Sequence, residues 1–284
     1  MTEERRAAVL GSPITHSLSP ELHRAAYRAL GLSGWAYDMF EVDERALAPF
    51  MGTLDASWAG LSLTMPLKRA VIPLLDEVSP TAADIEAVNT VVFTEDGRRV
   101  GENTDVPGML AALRERGVQR VPHAAVLGAG ATAASALSAL GRICDGEITA
   151  YVRSPERARE MRGWGERLGV CVTTTDWSRA AEALGAPLVV ATTPAGATDA
   201  LAGSVPERPG TLFDVLYEPW PTELAAAWQQ RGGQLVGGLD LLVHQAVLQV
   251  ELMTGAEHGP LAAMRRAGEA ALTARGTLSG GLSG

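Results

Sequence analysis

No stretch of the 284 residues approaches the roughly 18 consecutive apolar positions that a membrane-spanning helix needs. The opening Met1-Thr-Glu-Glu-Arg-Arg6 has no cleavable leader pattern, so a cytoplasmic chain is expected. Cys144 and Cys171 are the only cysteines, and they form no CxxC. With no His, Cys and acid cluster at ligand spacing, neither a disulfide framework nor a metal site is expected. A surplus of positive charge is also missing: the formal net charge is −9, which excludes a nucleic-acid backbone as partner, because that needs a basic face. Aromatic residues make up only 5%, leaving Ala, Val and Leu to fill the cores. Repeats are absent. Low complexity is confined to Gly276-Thr-Leu-Ser-Gly-Gly-Leu-Ser-Gly284, where a flexible tail is expected.

What is present is a globular composition, 46% hydrophobic and 20% charged, long enough for two domains. Ala7–Leu10, Trp35–Glu41 and Gly60–Leu63 read as short strands alternating with helical stretches at Pro20–Leu30 and Leu47–Thr53. Further on, Glu147–Val152, Leu188–Ala191 and Thr211–Val215 read as strands, with helices at Pro155–Leu168 and Thr222–Arg231 between and after them. Helical spacing returns at Leu239–Thr254 and continues from Gly259 to Arg275. The expectation is an α/β chain with two parts. An N-terminal α/β substrate domain comprises residues 1–105 and 239–275, with the last helices returning to it, and a doubly wound Rossmann domain comprises 106–238.

Ala124-Ala-Val-Leu-Gly-Ala-Gly-Ala-Thr-Ala133 reads as a strand, a glycine turn and a helix, the context that gives GxGxx(G/A) its meaning. Gly128 allows the tight turn, Gly130 lets the backbone approach a pyrophosphate, and Ala133 lets helix and strand close together. An NAD site wants an acid about ~20 residues later to accept from the ribose hydroxyls. Here the second strand instead ends Val152-Arg-Ser-Pro-Glu-Arg157. Guanidinium groups at Arg153 and Arg157, with Ser154 between them, suit a 2′-phosphate, so NADP is expected and NAD disfavoured. The competing use of Arg157 is a solvated helix face.

Four further segments carry polar side chains beside apolar strand residues: Gly11–Pro20, Gly60–Lys68, Ala87–Thr90 and Gly101–Asp105. With the glycine turn and Gly238-Leu-Asp-Leu-Leu-Val-His-Gln245, they occur in an order that resembles the shikimate dehydrogenase family over nearly the whole chain. That resemblance implies reversible reduction of 3-dehydroshikimate to shikimate by hydride transfer, in the supply of aromatic amino-acid precursors. It implies that Ser17 and Ser19 hold the substrate carboxylate with Tyr217 close by, and that Thr64, Asn89, Asp105 and Gln245 read the ring hydroxyls. Lys68 and Asp105 resemble the catalytic pair, sharing a pocket that faces the nicotinamide. Gly128, Ala129, Gly130, Ala131, Thr132, Val152, Arg153, Ser154 and Arg157 match the family's NADP contacts, and Val215 and Gly238 match positions near the nicotinamide.

Alcohol oxidation needs a group that takes the hydroxyl proton as hydride leaves, and Lys68 can supply it. Asp105 could instead only cap the helix Val106–Arg116. The chain departs from the family pattern at Val152, where Asn is frequent, at Ser62, also frequently Asn, and at Glu86, frequently Gly. Quinate or aminoshikimate as substrate, or a non-catalytic NADP or metabolite sensor, are the rival readings. Either a monomer or a homodimer is compatible with the resemblance.

Overall fold

The computed structural model describes residues 4–280, with side chains through residue 276. Its contacts divide the chain into two units, one ending at Thr104 and resuming at Leu242, the other Asp105–Leu241. In the first unit the order is β1 (Arg5–Gly11), α1 (Ser19–Ala29), β2 (Trp35–Glu41), α2 (Glu44–Met51), β3 (Trp58–Leu63), α3 (Leu67–Ala70), β4 (Glu77–Val78), α4 (Pro80–Asp84), β5 (Thr90–Phe93) and β6 (Arg99–Glu102). The sheet runs β2-β1-β3-β5-β6-β4. β1, β2 and β3 are parallel, whereas β5 is antiparallel to both of its neighbours. Every residue of β3 is buried, which explains why Trp58-Ala-Gly-Leu-Ser-Leu63 lacks the alternation of a one-sided strand.

The core on one side of this sheet gathers Leu10, Leu61, Leu63, Leu67 and Val88, and on the other Val9, Tyr27, Tyr37, Ala59 and Met253. Each aliphatic side chain so buried contributes on the order of 1.5–3 kcal/mol before conformational entropy is set against it.

The second unit holds α5 (Asp105–Glu115), β7 (Ala124–Leu127), α6 (Ala131–Leu140), β8 (Ile148–Val152), α7 (Pro155–Leu168), β9 (Val172–Asp176), β10 (Leu188–Ala191), β11 (Thr211–Asp214), α8 (Glu223–Gln230) and β12 (Gln234–Val236). Its sheet is parallel throughout, in the order β12-β11-β10-β7-β8-β9, which is the doubly wound arrangement with its reversal beside β7. α6 is buried from Ala133 to Leu140, possible because its alanines and serines let it lie close to the sheet. α7 starts at Ser154, whose hydroxyl accepts from the Arg157 amide, and stops at Gly169 in the left-handed region, the two signals that set its length.

The chain passes back to the first unit within α9 (Gly238–Thr254), and α10 (Leu261–Gly280) packs on α1. The sequence reading ends the last helix at Arg275 and expects a flexible tail over 276–284. The backbone is helical through Gly280, because Gly276-Thr-Leu-Ser-Gly280 continues a helix already docked on α1; residues 281–284 lie outside the described residues.

Candidate active site

In the first unit, polar side chains collect where β1, β3, β5 and β6 meet their loops. Gly11 closes β1 because a Cβ there would run into the Thr64 methyl group and carbonyl 65. The Thr64 amide donates to the Leu10 carbonyl at 3.0 Å, which ties the loop after β3 to the end of β1. Lys68 lies in α3, and its carbonyl accepts from the Val88 amide at 2.9 Å, bringing its backbone beside the Val88-Asn89 segment. Asn89 is buried: its carbonyl accepts from the Leu63 amide at 2.7 Å, and its side-chain amide donates to the Thr104 hydroxyl at 3.0 Å. The Thr104 amide returns a hydrogen bond to Asn89 Oδ1 at 2.8 Å, and the Thr104 hydroxyl reaches Gln245 Oε1 at 3.3 Å. Asn89, Thr104 and Gln245 therefore form one buried cluster, and Asp105 is the next residue along the chain, opening α5.

Ser17 and Ser19 belong to the turn before α1. Ser17 Oγ accepts from the Ser19 amide at 3.2 Å, so its proton is left to donate. The Ser19 carbonyl accepts from His23 Nδ1 at 2.9 Å, and His23 stacks on Tyr37 with ring centroids 3.9 Å apart. Burial holds the His23 imidazole down to about 4, offset in part by the bond to Ser19, and its Nε2 finds no partner among the described residues. The Tyr37 hydroxyl donates to Ser62 Oγ at 2.7 Å; Ser62 donates to Gln249 Oε1 at 2.8 Å, and Gln249 donates to Thr90 Oγ1 at 3.0 Å. Burial pushes the Tyr37 phenol up, so it remains a donor at any ordinary pH.

Gln249, Tyr37 and His23 were missed from sequence. Gln249 was within reach, since it sits one helical turn beyond Gln245 on α9 and shares its face. Ser62 is explained by the same network, because its hydroxyl fits between a phenol and an amide. Glu86 has φ of 51°, a left-handed conformation that costs a non-glycine residue about 1 kcal/mol or more and that glycine would adopt without that cost. Its carboxylate pairs with Arg69 at 2.9 Å.

In the second unit the turn between β7 and α6 has the geometry of an anion cradle. Gly128 has φ of 113°, and a Cβ on it would meet Thr192 Oγ1 at 2.6 Å. Gly130 caps α6 without any side-chain hydrogen bond, and a Cβ there would meet nothing within 4 Å. The first-turn amides of a helix lack partners within it, so Ala131 and Thr132, half-buried beside the open side of Gly130, have donors left for an anion such as a pyrophosphate. Ala129 is half-buried beside them. At the end of β8, Val152 is buried and Arg153 exposed, with the Arg153 guanidinium 5.0 Å from the ring centroid of Trp177. Ser154 is occupied as the cap of α7. Arg157 pairs with Glu160 at 2.7 Å on the same helix, an exposed pair worth at most about 1 kcal/mol and so readily exchanged for a phosphate.

Past β11, Asp214 is buried and its carboxyl is pushed up by that burial, against hydrogen bonds from Thr222 Oγ1 at 2.7 Å and the Leu216 amide at 3.1 Å. Those bonds shape the turn that carries Val215 and Tyr217, both half-buried. Gly238 donates to the Leu216 carbonyl at 3.1 Å, and a Cβ on it would overlap the Val215 carbonyl, so only glycine fits. The residues expected at the site thus sort into two sets. Ser17, Ser19, Thr64, Lys68, Asn89 and Gln245 lie in the first unit; Asp105, Gly128–Thr132, Val152–Ser154, Arg157, Val215, Tyr217 and Gly238 lie in the second.

No group of His, Cys, Asp and Glu suited to a metal exists among the described residues, and no helix among them is long and apolar enough to cross a membrane.

Comparison with known proteins gives a consistent picture. Residues 9–91 match the family described as shikimate dehydrogenase substrate binding domain, and residues 238–267 match the shikimate 5'-dehydrogenase C-terminal domain. A shikimate dehydrogenase (NADP(+)) from Thermus thermophilus is 37% identical over 254 residues, 88% of this chain and 92% of its own. The crystal structure of the Mycobacterium tuberculosis shikimate dehydrogenase superposes with a TM-score of 0.85 at 39% identity, covering 94% of this chain and 99% of that one. A Thermus thermophilus shikimate 5-dehydrogenase in complex with NADP(H) and shikimate gives 0.82 at 34% identity, with 94% and 99% coverage.

Proposed function

Because this chain belongs to the shikimate dehydrogenase family, we propose that it oxidises shikimate to 3-dehydroshikimate with NADP and reverses the reaction with NADPH. It does so in the cytoplasm, as a monomer or homodimer, in the supply of aromatic amino-acid precursors. Bound NADP supplies the acceptor for the carbinol hydrogen, which leaves as hydride. The protein's part is to hold the ring and move one proton. Lys68 Nζ, as the neutral amine, takes the hydroxyl proton during oxidation and returns it during reduction, while the Asp105 carboxylate stabilises the ammonium that forms. Ser17 and Ser19 donate to the carboxylate, Tyr217 serves the same group, and Thr64, Asn89, Asp105 and Gln245 read the ring hydroxyls. Donors along Gly128, Ala129, Gly130, Ala131 and Thr132 hold the pyrophosphate; Arg153, Ser154 and Arg157 take the 2′-phosphate, with Val152 behind them. Val215 and Gly238 would hold the nicotinamide end.

One observation carries the chemical assignment. Of the 24 basic residues Lys and Arg, Lys68 is the only lysine in the sequence. A guanidinium stays charged through any ordinary pH and cannot trade a proton, whereas an amine can. A chain that uses arginine at every other basic position keeps an amine where acid/base work is needed. A silent sensor has no such requirement. Against quinate stands Ser19, whose burial leaves little room for an extra hydroxyl on the carboxylate-bearing carbon.

Mixing the protein with shikimate and NADP is expected to raise absorbance at the reduced-nicotinamide band, with kcat/KM higher for shikimate than for quinate or aminoshikimate. A flat trace would remove the enzymatic reading, and a preference for quinate the choice of substrate.

Trp177 bears on the cofactor. An aromatic face against the Arg153 guanidinium stabilises it by roughly 0.5–1 kcal/mol where exposed, so Trp177→Leu is expected to raise the Kd for NADP about threefold and leave that for NAD unchanged. Trp177→Phe should restore most of the difference. Equal losses for both cofactors, measured by titration calorimetry, would mean that Trp177 only packs.

A further inference from the structure

A loop that holds an anion must turn its carbonyl oxygens away from it and aim its donors inward, since a carbonyl beside a carboxylate is repulsive. The turn before α1 is arranged in that way. The Ser17 amide donates to the Ile14 carbonyl at 2.9 Å, Ser17 Oγ accepts from the Ser19 amide, and the Ser19 carbonyl is taken by His23. The carbonyls of His16 and Ser17 are met from the far end of the sequence. Arg275, half-buried on α10, donates from Nη1 to the His16 carbonyl at 2.8 Å and from Nη2, at a longer 3.5 Å, to the Ser17 carbonyl. These residues stand 259 and 258 positions apart and are brought together by the packing of α10 on α1.

We infer that Arg275 is a positioning residue for the substrate carboxylate: its guanidinium draws the carbonyl oxygens of His16 and Ser17 to one side and thereby aims the Ser17 and Ser19 hydroxyls at the anion. Its charge also lies one peptide unit behind those hydroxyls, in a chain of net charge −9 that otherwise repels an anionic substrate. The fork matters as well as the charge, since one planar guanidinium can reach two successive carbonyls. The inference rests on the reading that Ser17 and Ser19 hold the carboxylate.

The experiment compares steady-state kinetics for shikimate and for shikimate methyl ester, which lacks the charge, in the parent protein, Arg275→Met and Ser17→Ala. Loss of a charge-assisted hydrogen bond behind the loop is expected to raise the KM for shikimate about fivefold in Arg275→Met. kcat should stay within about twofold, the KM for NADP should not move, and the KM for the ester should move far less than that for shikimate, since its carbonyl still accepts from the hydroxyls but carries no charge. An unchanged KM for shikimate, or equal shifts for shikimate and ester, overturns the inference. Ser17→Ala separates the two layers. If it discriminates between shikimate and ester while Arg275→Met does not, only the role of Arg275 falls; if it does not discriminate, the carboxylate reading falls with it. Should Arg275→Met fail to fold, Arg275→Gln, which keeps a donor without the charge, is read by the same criteria.

Discussion

Lys68→Ala is expected to lower kcat for shikimate oxidation by a factor of roughly 10²–10⁴, the range supplied by a positioned general acid or base, with a modest change in KM. The fold should tolerate the substitution. Lys68 is anchored through its backbone carbonyl to the Val88 amide, a bond that alanine keeps, and the side chain is only half-buried. Lys68→Arg should not restore activity, because a guanidinium retains the positive charge but does not give up its proton. The composition offers an independent route to the same answer. With no other lysine in the chain, an amine-directed reagent can modify only Lys68 and the N-terminus, so inactivation should follow one equivalent of side-chain labelling and slow in the presence of shikimate. Near-normal kcat in Lys68→Ala, or full activity after labelling of Lys68, would take the proton transfer away from this residue.

Acidification from pH 6.5 to about 4 is expected to remove on the order of 3 kcal/mol from the stability of the first unit through His23 alone. The folded imidazole stays neutral until about pH 4, because burial against Tyr37 and Tyr27 disfavours its charged form, whereas in the unfolded chain it takes up a proton below about 6.5. Between those values the unfolded chain binds more protons, so stability rises with pH across the window. The contribution is fully present above 6.5 and has been lost once the pH falls through the folded value. Asp214, in the second unit, acts in the opposite sense: its raised pKa adds stability below the ordinary carboxylate range that fades as pH rises. Comparing the parent with His23→Asn cancels that opposing term, and asparagine can still donate to the Ser19 carbonyl. Urea denaturation at several pH values between 4 and 7 should give a flatter dependence for the variant. Parallel curves would mean that His23 is not the group responsible.

Much of the second unit was legible because its local signals agree with one another. The strand, glycine turn and helix at Ala124–Ala133 are each short-range features, and the parallel order follows from alternating strands and helices. Less legible were β9, whose Val-Thr-Thr-Thr-Asp run has no apolar alternation, and β12, only three residues long; both lie at the edges of the sheet, where burial imposes little pattern. In the first unit the antiparallel pair β5 and β6 was hidden for a related reason. Its residues were read for their polar loop ends at Asn89 and Asn103–Asp105, whereas the hairpin between them turns at Thr94–Arg98.

From its sequence alone the chain determined the fold class, the glycine turn, the arginines after the second strand and the loop-end positions of Lys68 and Asp105, because each of these follows from patterns between near neighbours. Tertiary structure decided which distant side chains meet around the first unit's polar residues. His23 against Tyr37, Ser62 to Gln249 at 187 residues' separation, and Arg275 on the carbonyls before α1 are pairs that no local pattern encodes. They exist because α9 and α10 return to the first unit, and a buried polar group must find whatever donor or acceptor the packing delivers to it.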